Sequence, residues 1–192
     1  IQAMFAILKE ASFKCNIYTS PHIKKINERF VFNNQELSDE ELAKLLEDVE
    51  KANDNNSITF FEILTAAYFY KAAEYPDNIN FIESGLFHRF DATNILKENL
   101  ASIVTSIGLD HLDWLPKNEQ TIKKIIFEKT STLLKNQRLH ANYHACFKFI
   151  LKGAIDQLIG VGDQGLFIAR AHTMHHSAIF SLGTGHARDD RF

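Results

Sequence analysis

The sequence predicts an α/β fold, a mainly parallel sheet flanked by helices, and three observations carry the expectation. Short apolar runs at Cys15 to Thr19, Ile79 to Ile82 and Ile103 to Ile107 have the length and side-chain content of buried strands. Segments between them repeat apolar residues at helical spacing, and helix alternating with strand is the grammar of crossover connections. Each run also hands over to polar residues: Ser20, Pro21 and His22 after the first, Glu83 closing the second, Asp110 and His111 just past Gly108 after the third. In open α/β sheets ligands bind outside the carboxyl ends of the strands. A hydroxyl, a carboxylate and an imidazole at three strand ends are therefore candidate ligands for one divalent cation.

Taken in order, residues 2–12 place Met4, Ile7, Leu8 and Ala11 on one helical face and give way to the strand at Cys15. A basic loop with Lys24 and Lys25 runs into an alternating stretch, Phe30-Val31-Phe32, before an Asn33-Asn34 turn. The loop is read either as solvated or as facing an anionic substrate. Ser38-Asp39-Glu40-Glu41 is a capping box that opens a helix with Leu42, Leu45, Leu46 and Val49 on its buried stripe. Thr59-Phe60-Phe61-Glu62 is a second box, opening a helix through Leu64, Ala67, Tyr68 and Lys71, so Glu62 is read as a cap rather than a catalytic group. Pro76 and Asp77 end that helix.

After the central strands, Asn118 and Glu119 are expected to begin a helix with Ile122, Ile125, Ile126 and Leu133 on one side. Lys129 shares that side. Two readings fit a lysine there: its stem packs while the ammonium reaches water, or it is a partly desolvated amine, with a lowered pKa, able to act as a nucleophile or be modified. Beyond Gln137 the pattern changes. A helix over His140 to Ile155 and a hairpin around Gly162-Asp163-Gln164-Gly165 are the local expectations. The polar end carries His140, His144, His172, His175 and His176, a set with no acidic or cysteine partner at ligand spacing for zinc. Gly183-Thr184-Gly185 is a weak phosphate-binding signal.

Composition narrows the function. With 192 residues, 45% hydrophobic and 23% charged, the chain suits one ordinary domain. A net charge of -3 argues against a nucleic-acid groove. Met4 to Leu8 is far too short to span a bilayer, so neither nucleic acid nor a membrane is an expected partner. Cys15 and Cys146 are read as reduced thiols, consistent with a cytoplasmic location.

Several motifs in order resemble one family. They are Thr19-Ser20-Pro21-His22 with Asn27-Glu28-Arg29, Thr59-Phe60-Phe61-Glu62 with Leu64-Thr65-Ala66, and Glu83-Ser84-Gly85 leading to Arg89-Phe90-Asp91-Ala92-Thr93-Asn94. Ile107-Gly108-Leu109-Asp110-His111 and Glu128-Lys129 follow. This succession resembles folylpolyglutamate synthases, which with the dihydrofolate synthases belong to the Mur ligase superfamily. The resemblance implies that residues 1–136 are a partial Mur-ligase-type central ATPase domain. It implies an ATP-dependent ligase that joins glutamate to the γ-carboxylate of a folate through an acyl phosphate, with Mg2+ as cofactor and ATP as co-substrate. Ser20, Glu83 and His111 match the metal ligands, and Lys129 matches a lysine carbamylated in that family. Ser20, Pro21, His22 and Arg29 fall where the pteridine-bearing substrate is held.

The departures are equally specific. The family's P-loop ends in Gly-Lys-Ser before the first helix; here the first glycine is Gly85 and no Gly-Lys pair occurs. Phe87-His88 stand where the family has two glycines, Thr130-Ser131 replace Ala-Gly after Lys129, and the stretch from His111 to Lys129 is slightly longer. Residues 137–192 carry no family sequence, and are expected to be divergent or to come from another reading frame. The sequence thus implies a truncated or inactive ligase; the alternatives are a non-catalytic folate- or metal-binding remnant and half of a split enzyme completed by a chain carrying the P-loop.

Overall fold

The structure is a computed structural model, and it describes residues 1–96, 99–105, 107–133, 140–141 and 179–184. The first helix, α1 (Gln2–Glu10), leads into strand β1 (Cys15–Tyr18), and a 3-10 turn at Ile26–Arg29 precedes β2 (Phe30–Phe32) and β3 (Gln35–Glu36). Helices α2 (Asp39–Asn53) and α3 (Phe60–Ala72) then return the chain to β4 (Ile79–Glu83). Next come β5 (Ala101–Val104), 3-10 turns at Leu112–Trp114 and Lys117–Glu119, helix α4 (Ile122–Thr130), β6 (His140–Ala141) and β7 (Ile179–Thr184).

Local chemistry explains the boundaries. In α2, Ser38 Oγ accepts from Glu41 N at 3.2 Å while Glu41 Oε2 accepts from Ser38 N at 2.8 Å. Thr59 and Glu62 make the same reciprocal pair at the start of α3, so both capping boxes form. Asp54 closes α2 in the left-handed region, φ 51°. Asn33 and Asn34 both take positive φ, 52° and 68°, the conformation a two-residue hairpin needs, and asparagine tolerates it.

The strands form one sheet in the order β3-β2-β1-β4-β7-β5-β6. Its α/β character is as expected, but the sheet is mixed rather than mainly parallel. Strands β1 and β4 are parallel, as are β5 and β6, whereas β2 and β3 are antiparallel hairpin neighbours at the edge and β7 runs antiparallel between β4 and β5. The Asn-Asn turn forces the first departure, since a two-residue connection can join only antiparallel strands. The strand expected at Ile103 to Ile107 ends earlier, at Val104.

Both faces of the sheet are covered. Tyr18, Phe30, Phe32 and Ile82 face α2 and α3, packing with Leu42, Leu45, Leu64 and Tyr68; Tyr18 stacks on Tyr68 with ring centroids 5.1 Å apart. Cys15, Ile17 and Phe81 face the other way, against Met4, Phe5 and Leu8 of α1. Among the described residues no helix is long and apolar enough to cross a membrane.

Helix α4 corrects the sequence reading. Asn118 and Glu119 belong to the 3-10 turn, and the helix starts after Thr121, whose side chain accepts from Lys124 N at 3.2 Å. Its buried side is Ile125, Glu128 and Lys129, while Ile122 and Ile126 are exposed and Leu133 lies past its end. In the last third, His140 and Ala141 are in a strand rather than a helix. The remainder of the expected helix, the Gly162-Gly165 hairpin, Gly185 and the His144, His172, His175 and His176 cluster lie outside the described residues.

Candidate functional site

Parallel pairing brings two of the expected strand ends together. Tyr18 is in register with Ile82, so the residues that follow β1 meet the last residue of β4. Ser20 N donates to Glu83 Oε2 at 2.9 Å, just before the cis Ser20–Pro21 peptide. Burial pushes the Glu83 carboxyl above the usual carboxylate range; the Ser20 amide and the Arg29 guanidinium draw it part of the way back. Beside them the loop folds upon itself. The Glu28 carboxylate accepts from three successive amides, Ile23 N at 2.8 Å, Lys24 N at 2.9 Å and Lys25 N at 3.0 Å. Those bonds to its charged form hold its pKa below the ordinary value. Arg29 is buried and its Nε donates to His22 Nδ1 at 3.0 Å, which leaves the proton of a neutral His22 ring on Nε2. The guanidinium also lies 5.9 Å from the centre of the exposed Phe60 ring. Ser20, His22, Arg29 and Glu83 therefore form one polar group at the β1 and β4 ends, with Pro21 exposed beside it.

The third strand end forms a second group. His111 is held in the left-handed region, φ 55°, with its amide donating to Asp110 Oδ1 at 2.8 Å and its Nε2 at 3.2 Å from Asp110 Oδ2. The Phe87 ring meets the imidazole edge to face, with centroids 6.1 Å apart. Lys129 completes the group. It is only 2% exposed, so its ammonium does not snorkel to water and the amine is desolvated. Its Nζ donates to Leu86 O at 3.0 Å and lies 5.7 Å from the Phe87 ring centre. Burial lowers its pKa, and the Asp110 carboxylate opposes the fall.

The loop from Gly85 to Asn94 sets this second group. Gly85 N donates to Asp91 Oδ1 at 2.9 Å, and Asp91 Oδ2 accepts from both Thr93 N and the Thr93 hydroxyl. A Cβ at Gly85 would collide with that carboxylate, which gives the glycine a steric reason. Arg89 reaches across to α4 and grips Glu128 with both arms, Nε to Oε2 at 2.6 Å and Nη2 to Oε1 at 2.9 Å, while its amide donates to Glu128 O at 3.0 Å. The residues that Lys129 meets, Leu86 and Phe87, are thus tied to the helix that carries it. Phe87 and His88 part company. Phe87 faces Lys129 and His111, whereas His88 is buried, hydrogen-bonded to Thr132 Oγ1 at 2.9 Å, in a small polar pocket with Thr93, Asn94, Asn99 and Ser102.

The donor chemistry fits a hard divalent cation in part. Ser20 and Glu83 carry hard oxygen donors on residues joined by the bond from the Ser20 amide to Glu83 Oε2. His111 is engaged with Asp110 and Phe87, and among the described residues no three His, Cys, Asp or Glu side chains group as metal ligands. Sequence reading found Ser20, Glu83, Asp110 and His111 from the strand ends, but missed the Asp91 clamp, the Glu28 amide capture and the double contact of Phe87. Glu28 and Asp91 bind amides within six positions of themselves, so a local signal existed for both, whereas the partners of Phe87, which are His111 and Lys129, lie in other segments.

No protein-family model matches the chain. The chain is similar to the dihydrofolate synthase/folylpolyglutamate synthase of Escherichia coli (strain K12), with 37% identity over 119 residues, 61% of this chain and 28% of that protein. The bifunctional folylpolyglutamate synthase/dihydrofolate synthase of Yersinia pestis, solved in complex with AMPPNP and a Mn ion, gives a TM-score of 0.62 at 32% identity and covers 70% of this chain and 32% of that one. The E. coli enzyme in complex with DHPP and ADP gives a TM-score of 0.56 at 36% identity, covering 68% of this chain and 31% of that one. The chain spans less than a third of the length of each of these relatives.

Proposed function

From the resemblance of this chain, in sequence and in fold, to the dihydrofolate synthase/folylpolyglutamate synthases, we propose that it is the central part of an ATP-dependent ligase of the Mur superfamily adding glutamate to a folate. The ligase-like part is residues 1–136, and the segment beyond 137 adds strand β7 to the same sheet. The observation that carries the reading is the meeting of Ser20 with Glu83 at adjoining strand ends, 2.9 Å apart, beside the buried Arg29.

Each residue has a part that its surroundings support. Ser20 and Glu83 would hold Mg2+, with His111 as the third ligand that the resemblance implies. The ion, when bound, offsets negative charge on phosphate oxygens during transfer to the folate carboxylate. His22, Pro21 and Arg29 flank the approach, where the fixed guanidinium would orient an anionic substrate group. Lys129, kept neutral more easily by burial, is able to take up carbon dioxide as a carbamate, since only the unprotonated amine attacks; its lost proton passes to solvent. The glutamate amine then displaces phosphate from the acyl phosphate. The phosphate cradle this chemistry needs is not among the 192 residues, which contain no Gly-Lys pair.

That same observation favours a second reading, a folate- or metal-binding chain that acts only when a P-loop is supplied by another chain. Isothermal titration of the full chain with MgATP, alone and with a reduced folate, separates the outcomes. Binding by the wild type that is weakened at least about tenfold in Glu83→Ala, the loss expected for a metal ligand or its support, is the expected result. Product formation with binding favours the ligase, and binding without turnover the second reading. Binding unchanged by Glu83→Ala, or no binding by a folded chain, would refute the strand-end site.

A further inference from the structure

The loop from Gly85 to Asn94 is tied to α4 and the residues just past it by three side-chain bonds, and the three depend differently on charge. Leu86 O accepts from Lys129 Nζ at 3.0 Å, and Arg89 grips Glu128 with two bonds. Between them in sequence, the buried His88 sets its Nδ1 2.9 Å from Thr132 Oγ1. The Glu128 carboxyl is held below the ordinary carboxylate range, so its pair with Arg89 persists at about pH 5.5. A proton gained by Lys129 only strengthens its donation to Leu86 O. Of the three ties, mild acidification therefore bears on that of His88. The pocket around the ring offers hydroxyl and amide groups, from Thr93, Asn94, Asn99, Ser102 and Thr132, and none of its lining residues is a carboxylate. Asp91 lies on the same loop, but it turns its oxygens to Gly85 N and to Thr93. Asn99 and Ser102 on the β5 side and Thr132 and Leu133 past α4 bring no charge. Burial lowers the pKa of the ring below its ordinary value, and the Asp91 carboxylate opposes the fall.

We propose that His88 is a proton-operated latch: neutral, it is seated against Thr132 and holds its loop to the end of α4, and on taking up a proton it leaves the pocket and loosens that loop. An imidazolium kept inside would be a buried cation with no carboxylate to pair with, whereas one outside is hydrated. The seated ring titrates below a ring in water, whose value is about 6.5. Closure is therefore complete above that pH and is lost as pH falls from it toward the lowered value. The latch acts on the loop that carries Leu86 and Phe87, the two residues that Lys129 meets. It stands independently of the cation and folate readings above.

The test is NMR on the full 192-residue chain, the wild type beside His88→Asn, which keeps a polar atom where Nδ1 stands and does not titrate. The His88 ring shift gives its titration midpoint. Amide hydrogen exchange, corrected for the intrinsic rate at each pH, gives the opening of the loop. The amides to follow are Arg89 N, bonded to Glu128 O at 3.0 Å, and Asp91 N, bonded to His88 O at 3.2 Å. The expected midpoint lies below about 6.5, and protection of both amides falls several-fold from about pH 7.5 to 5.5, with about tenfold as the limit that an ordinary histidine sets. Protection in β1 and β4 should hold, and His88→Asn should show no such fall at the loop. A midpoint at or above about 6.5, or a fall smaller than about twofold, overturns the latch. So does an equal fall in His88→Asn, which would assign the opening to another group such as His111 or Glu83, and so does a matching fall in β1 and β4, which would be global unfolding. Should His88→Asn fail to fold, His88→Gln takes its place, and the wild-type midpoint still decides.

Discussion

Asn16→Ala is expected to destabilise the fold by about 2–3 kcal/mol, the cost of stranding one buried and one half-buried donor and opening a small void. Asn16 is fully buried on β1, and its side chain joins segments far apart in the chain. Its Oδ1 accepts from Asn33 N at 3.0 Å in the β2–β3 turn and from Asn78 Nδ2 at 3.0 Å ahead of β4. Its Nδ2 donates to Asn80 Oδ1 at 3.0 Å, an oxygen that also accepts from Tyr68 OH of α3 at 2.9 Å. Alanine removes the acceptor from Asn33 and Asn78 together. Asn80 keeps Tyr68, so the loss is less than that of the whole network. Urea denaturation should show the shift in midpoint with little change in slope. A loss below about 1 kcal/mol would mean that water enters and replaces the amide, and that the network is not a fastening between β1, β4 and the hairpin.

Glu128→Gln should cost about 2 kcal/mol at neutral pH, less than breaking a fully buried ion pair, because Arg89 is 30% exposed and remains hydrated. The more telling result is the pH profile. Arg89, and then Lys124, hold the Glu128 carboxyl below the ordinary carboxylate range. With the folded value below the unfolded one, the stabilisation is complete above the unfolded value, about 4.3, and is lost as pH falls through the folded value. Wild type should therefore lose stability on acidification below about pH 5, while Glu128→Gln shows a flatter curve over that interval. Parallel curves would show that the pair contributes little beyond its packing. The variant weakens the side-chain tie between α4 and the loop that bears Leu86 and Phe87, while the bond from Arg89 N to the carbonyl of residue 128 remains.

What was legible in the sequence was local chemistry. Both capping boxes and the Asn33-Asn34 turn were read from residues within a few positions of each other and form as read, whereas the bond that joins the ends of β1 and β4 spans 63 positions. Spacing flagged Lys129 as a lysine on a buried side. It could not decide between the two readings, because the deciding group, Leu86 O, lies 43 positions earlier. The start of α4 was misplaced for a similar reason: Glu119 looks like a first-turn acid, but it sits in a 3-10 turn and pairs with Lys124 at 2.7 Å from outside the helix. Strand direction was only partly readable. The hairpin announces its antiparallel edge, whereas the antiparallel entry of β7 joins residues about a hundred positions apart and leaves no short-range mark. Asn16 and Asn80 look like interruptions of apolar strands until their partners are brought to them.

The raised pKa of Glu83 has an evolutionary consequence. A carboxylate that burial disfavours in its charged form is a position where the folded chain is less stable than it could be at neutral pH. Glutamine there would relieve that frustration while still offering the Ser20 amide an acceptor, so the acid is not explained by folding alone. A bound cation is the natural compensation, and it would make the site a point where ligand supply and thermal tolerance are traded against each other.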